Sequence, residues 1–221
     1  MWLRRIMSIF SLLWAQPAAA EDDALVWTSL TANGPLGGDI LFLGDVGARI
    51  GSGPQDFRQF LVRGAIGTEI AHHVTLHAGY AHFWTGTRQR NRGEHRTWQQ
   101  LAFPVASLGK LHLHGRSRLE QRYLPGTDAP CWRVRQQVRG ELPLGREGRP
   151  SLLASGEVFM NLNAPAGAPR AGLDRWRAQA GVSVPVATGI SIQPAYLHQF
   201  IPRRGEDLHE HILFTALAFR W

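Results

Sequence analysis

Between Leu111 and Tyr123 the chain alternates strictly, and that alternation limits its fold more than any other feature. His112, His114, Arg116, Arg118, Glu120 and Arg122 form one set, and Leu111, Leu113, Gly115, Ser117, Leu119, Gln121 and Tyr123 the other. Successive side chains of a strand point to opposite faces, so this is a ribbon with one charged face and one largely apolar face. A helix, at 3.6 residues per turn, would mix the two sets. Trp132 to Leu144 repeats the pattern, with Arg133, Arg135, Gln137, Arg139 and Glu141 opposed to Trp132, Val134, Val138, Leu142 and Leu144. From Asp174 to Val186, Arg175, Arg177, Gln179 and Ser183 oppose Trp176, Ala178, Ala180, Val182 and Val184. Weaker versions fit 24–32, 39–50, 57–70, 74–86, 96–108, 152–163, 189–201 and the end of the chain. The chain is read as all-β and antiparallel.

Two architectures accept such strands: a closed barrel with its apolar face turned to lipid, and a soluble β-sandwich with that face turned to a core. The segments are longer than the ~5–6 residues usual in soluble strands and close to the ~9–11 that a tilted strand needs to cross a bilayer. Trp27, Trp84, Tyr123, Trp132, Trp176, Tyr196 and Trp221 fall near segment ends, where aromatic girdles sit at a membrane interface. Short connections such as 71–73 and 187–189 alternate with longer hydrophilic ones such as 125–130, 164–171 and 202–208. This favours an antiparallel transmembrane β-barrel of about 10–12 strands. Single-chain bacterial barrels use even numbers, so the segment 24–32 either lies outside a ten-stranded wall or belongs to a twelve-stranded one.

The first twenty residues read as a cleaved signal peptide, leaving 21–221 as one barrel domain. Arg4 and Arg5 precede an apolar run from Ile6 to Trp14, and Ala18-Ala19-Ala20 offers a small-residue cleavage site. That apolar run is too short to be a spanning helix. The expected location is the bacterial outer membrane. Cys131 is the only cysteine, which excludes an intramolecular disulfide framework. The positive balance is almost all arginine, since Lys110 is the only lysine, and by itself it identifies no anionic partner. No loop resembles a phosphate cradle, and neither a nucleic acid nor a cofactor is expected.

The order of short motifs also resembles a known family. These are the early Trp27 segment, Gly79-Tyr80, Glu94-x-Arg96-x-Trp98-Gln99-Gln100, Arg116-x-Arg118-Leu119-Glu120-Gln121-Arg122-Tyr123, Glu157-x-Phe159-x-Asn161 and Tyr196-x-x-Gln199. Together they resemble the bacterial outer-membrane barrel family called domain of unknown function 2490. The resemblance implies an outer-membrane barrel and supplies no agreed activity and no catalytic residues.

The charged face holds the candidate functional residues. Arg116, Arg118, Arg122, Arg133, Arg135, Arg139, Arg175 and Arg177 would line the lumen, with Glu120, Glu141 and Glu157 as ion-pair partners. One reading is a structural barrel whose narrow interior is filled by paired charges. The sharper reading is a narrow channel whose surplus arginines attract small anionic solutes. A lipid-modifying barrel enzyme is a weaker alternative: Ser117 falls on the lipid face while His112, His114 and Glu120 face the lumen, so they do not converge. A periplasmic β-sandwich binding module is a further one. No metal site is expected. His112/His114 and His209/His211 offer two ligands each, and His72-His73 is expected to split across two faces of a short turn.

The chain ends on alternating apolar residues, Leu213, Leu217, Phe219 and Trp221. That ending is similar to the signal by which the outer-membrane assembly machinery engages its clients through strand addition. Lipid bilayer, lipopolysaccharide and that machinery are the expected partners.

Overall fold

The computed structural model describes residues 21–51, 57–86, 91–146 and 148–221. The signal peptide expected at 1–20 lies outside the described residues. Eleven strands form one closed barrel: β1 Glu21–Gly37, β2 Ile40–Ile50, β3 Phe57–Ala71, β4 Val74–Gly86, β5 Asn91–Leu108, β6 Leu111–Tyr123, β7 Cys131–Pro143, β8 Ser151–Asn161, β9 Gly172–Ala187, β10 Ile190–Ile201 and β11 Leu208–Arg220. Every sequential pair is antiparallel. The barrel closes by pairing β1 with β11 in parallel, from Glu21 beside Leu208 to Asn33 beside Arg220.

That parallel seam corrects the strand count. The wall has neither ten nor twelve strands, and residues 24–32 lie inside it as part of β1. Closure requires that both edge strands find hydrogen-bond partners, and a parallel ladder provides them as an antiparallel one does. An even number is needed only when the last ladder must also be antiparallel.

The two rims differ. β1, β3, β5 and β9 are each followed by a two-residue turn at one rim, where β11 also ends. The longer β7–β8 connection shares that rim; the connections after β6, β8 and β10 lie at the opposite rim and are all longer than two residues, and β1 begins there. These are called the short-turn rim and the long-loop rim below. Three of the two-residue turns place a glycine at positive φ, as at Gly109 (61°) and Gly189 (72°), whereas the β3–β4 turn places His73 there (58°).

Burial is inverted relative to a water-soluble core. Leu213 is 60% exposed, Ile66 61% and Val62 38% on the outer surface, while Glu120 at 2%, Arg118 at 3% and Arg133 at 3% lie inside. The sandwich reading is thereby overturned, since no second layer covers Leu213, Leu217 or Phe219. Apolar packing inside the wall is local. Leu61, Ala65, Ala81, Phe83 and Trp98 form one cluster, and Leu25, Trp27, Leu197 and Ile212 another. Trp98 reaches its position because Gly79 has no side chain: a Cβ there would stand 2.5 Å from both the indole and the Gly64 carbonyl.

Candidate functional site in the barrel lumen

Adjacent strands set the inner polar residues in rows. Arg118 pairs in register with Arg135, Glu120 with Arg133, and Glu157 with Arg177. Such rows let each carboxylate serve several guanidinium groups, which is how buried charge becomes tolerable. The Glu120 carboxylate accepts from Arg133 Nε (3.0 Å) and Nη2 (2.6 Å) and from Arg135 Nη1 (2.8 Å). Arg96 and Arg118 approach it at 3.7 and 3.9 Å. Glu94 receives a fork from Arg96 (2.6 and 3.0 Å) and a second from Arg122 (2.7 and 3.3 Å). Glu157 binds Arg116 at 2.7 Å and Arg135 at 2.8 Å, and Asp174 binds Arg133 and Arg175, both at 2.9 Å. Aromatic faces carry part of the remainder, with Arg96 lying 3.7 Å above the Phe83 ring and Arg118 4.1 Å above Trp98.

Other inward arginines rest on amides and form no ion pair with a carboxylate. Arg49 donates to Gln59 (2.8 Å), Arg139 to Gln193 (3.2 Å) and Arg177 to Gln199 (2.6 Å). Arg49, Arg139, Arg177 and Arg220 form no ion pair among the described residues. Arg49 and Arg177 both lie against the Trp27 ring, at 4.1 and 5.0 Å from its centroid.

Both sets border a cavity of about 500 Å³, lined by twelve arginines and by three carboxylates, Asp45, Glu94 and Glu157. Its buried donors outnumber its buried acceptors. Among the described residues Trp27 Nε1, Arg63 Nε, Arg116 Nε, Arg118 Nη1 and Arg122 Nη1 have no hydrogen-bond acceptor, against one lining acceptor without a donor, Asp45 Oδ1. Burial along the strands gives the cavity a direction. On β7 the inward residues Cys131, Arg133 and Arg135 are buried, whereas Gln137, Arg139 and Glu141 are half-buried. On β6, Glu120 and Arg118 are buried and His114 and His112 exposed. The ion-pair network therefore fills the long-loop half, and the free space widens toward the short-turn rim.

All eight arginines singled out in the sequence face inward, and Arg116, Arg118, Arg122, Arg133 and Arg135 join Glu94, Glu120 or Glu157 directly. Glu141 was expected to pair and makes no ion pair among the described residues. It sits near the short-turn rim beside Leu153, while the Arg139 guanidinium turns away to Gln193. Asp45, Glu94 and Asp174 carry pairs the alternation did not reveal. Asp45 stands beside Arg63 in the β2–β3 ladder and binds it at 2.9 Å. Asp174 turns inward beside Arg175 because the β8–β9 register shifts between Phe159 and Met160.

Ser117 bonds Gln136 Oε1 (2.6 Å) away from the inward histidines. Ser107 Oγ does lie 3.3 Å from His112 Nδ1, with Glu141 next in the same row, but no His112–Glu141 bond orients the ring. His209 and His211 face outward and meet His198 Nε2 (3.1 Å) and the Tyr196 hydroxyl (2.6 Å). His72 and His73 do not diverge as expected. They sit in the short turn read from the sequence, but strand alternation does not govern a turn, and their ring centroids lie 3.8 Å apart. Leu213, Leu217 and Phe219 point outward. Trp221 crosses the seam, donating its indole N–H to the Pro35 carbonyl (2.9 Å) beside Phe42.

The family model described as "Protein of unknown function (DUF2490)" matches residues 24–210. An uncharacterized protein of Methylorubrum extorquens is 29% identical over 209 residues, covering 92% of this chain and 91% of that protein. No solved structure matches.

Proposed function

We propose that this chain, which belongs to the DUF2490 family, spans the Gram-negative outer membrane as a narrow, anion-preferring conduit constricted by its own ion-pair network. The carrying observation is the imbalance at the cavity wall, where twelve arginines face five carboxylates, the lining Asp45, Glu94 and Glu157 with Glu120 and Asp174 outside the lining, and buried N–H donors lack acceptors among the described residues. An anionic solute supplies both the charge and the acceptor atoms, and guanidinium forks suit carboxylate, sulfate and phosphate oxygens. The outward band of Leu, Val and Ile supports the bilayer setting, and the aromatic ending at Trp221 supports assembly from the periplasmic side. In that orientation the short-turn rim faces the periplasm.

The purely structural reading accounts for the ion-paired arginines but leaves Arg49, Arg139 and Arg177 with amide and aromatic partners and no ion pair among the described residues. A lipid-modifying enzyme needs a serine whose histidine is held by a third group; Ser107 and His112 lack that third group. Planar-bilayer recordings under a salt gradient test the proposal. A small conductance with anions more permeant than cations is expected, and substituting Arg49→Gln with Arg177→Gln should reduce the preference. Silence beside a working porin control, or cation preference, would refute it.

A further inference from the structure

We propose that the β3–β4 turn is a binding site for a transition-metal dication, Zn(II) foremost, formed by Glu69, His72 and His73. One ligand atom from each of the three side chains lies within 4.8 Å of the other two. Ligands at about 2.0–2.2 Å around a tetrahedral metal stand roughly 3–3.5 Å apart, so small side-chain rotations complete the set. All three are exposed, so a metal would keep water in its remaining positions. Imidazole and carboxylate together favour zinc, copper or nickel over magnesium or calcium, which prefer all-oxygen shells. The site lies outside the lumen and does not rest on the conduit reading.

Two local features aim the ligands at one point. The β3–β4 ladder slips between Glu69 and Ala71, the kind of irregularity that redirects a side chain at a strand end. Glu69 Oε1 then accepts the His73 backbone N–H at 2.9 Å, which fixes the carboxylate and leaves Oε2 for a metal. His73 is also left-handed (φ 58°) at the second turn position, as Gly189 is (72°), and the other two-residue turns use Gly38 and Gly109 for their left-handed residue, at the first position. Glycine takes that conformation without steric cost, whereas a side chain does not. Turn geometry alone therefore does not call for histidine at 73. A ligand role for the imidazole does.

The test is calorimetric titration of the untagged, detergent-folded full barrel with zinc chloride alone. One zinc per chain is expected. His72→Ala and His73→Gly should each weaken binding about tenfold or more, and Glu69→Gln by about tenfold. His73→Gly suits the turn backbone, so its heat-modifiable gel mobility should remain that of the folded barrel. Substituting His209→Ala or His211→Ala should change nothing. The proposal is overturned if no saturable zinc binding occurs, if binding survives the His72→Ala/His73→Gly pair, or if calcium competes equally with zinc.

Discussion

Replacing Glu120→Gln probes the ion-pair network at its centre. The carboxylate is 2% exposed and takes three charge-assisted hydrogen bonds, two from Arg133 and one from Arg135. Glutamine keeps the shape and one acceptor but presents an N–H₂ group to a guanidinium. Arg133 retains Asp174, Arg135 retains Glu157 and Arg96 retains Glu94. Arg118 retains only the amide of Gln100 and the face of Trp98. Breaking a buried pair by removing one partner costs about 3–5 kcal/mol. The surviving carboxylates put the expected loss near the lower bound, about 3 kcal/mol. Denaturant unfolding of the vesicle-folded barrel, followed by tryptophan fluorescence, measures it. Adding Arg118→Met should recover part of the loss, since the stranded charge is then gone. A Glu120→Gln change within about 0.5 kcal/mol of zero, the range of ordinary surface substitutions, would show that these bonds do not hold the lumen together.

Other substitutions test the remaining readings. Arg177→Gln removes a charge that has no carboxylate partner, so folding stability should be unchanged or slightly raised while anion preference falls in bilayer recordings. Leu213→Arg on the outer face should cost about 2–4 kcal/mol of folding free energy in vesicles if the position faces the bilayer midplane; an unchanged unfolding curve argues against lipid there. Deleting Phe219–Trp221 should abolish membrane insertion in cells, and heat-modifiable, membrane-embedded protein from the truncated gene would refute that role.

Strand faces were legible because they depend only on local order. Leu111–Tyr123 and Val74–Gly86 coincide with β6 and β4, and the inward arginines of β6 and β7 follow from position parity. Closure was not legible. The pairing of Glu21 with Leu208 joins the two ends of the wall, and no period-two pattern indicates whether that ladder runs parallel. Partner choice was only partly legible for the same reason. Consecutive strands set the inward stripes of β6 and β7 side by side, where Glu120 meets Arg133, whereas the Arg116–Glu157 pair reaches past β7, from β6 to β8. Asp174 required a register shift, and the His72–His73 turn, though read as a turn, does not keep the two-face alternation assigned to it; both escape a rule that assumes uninterrupted strands.

The odd strand count separates the two ends of the wall. In an even-stranded barrel the first strand starts, and the last one stops, on the same side; here β1 starts at the long-loop rim and β11 stops at the short-turn rim. If the barrel spans the outer membrane as proposed, a tag placed ahead of β1 and another placed after β11 would therefore be displayed to different compartments. Protease or antibody access from outside intact cells should reach one of them and spare the other.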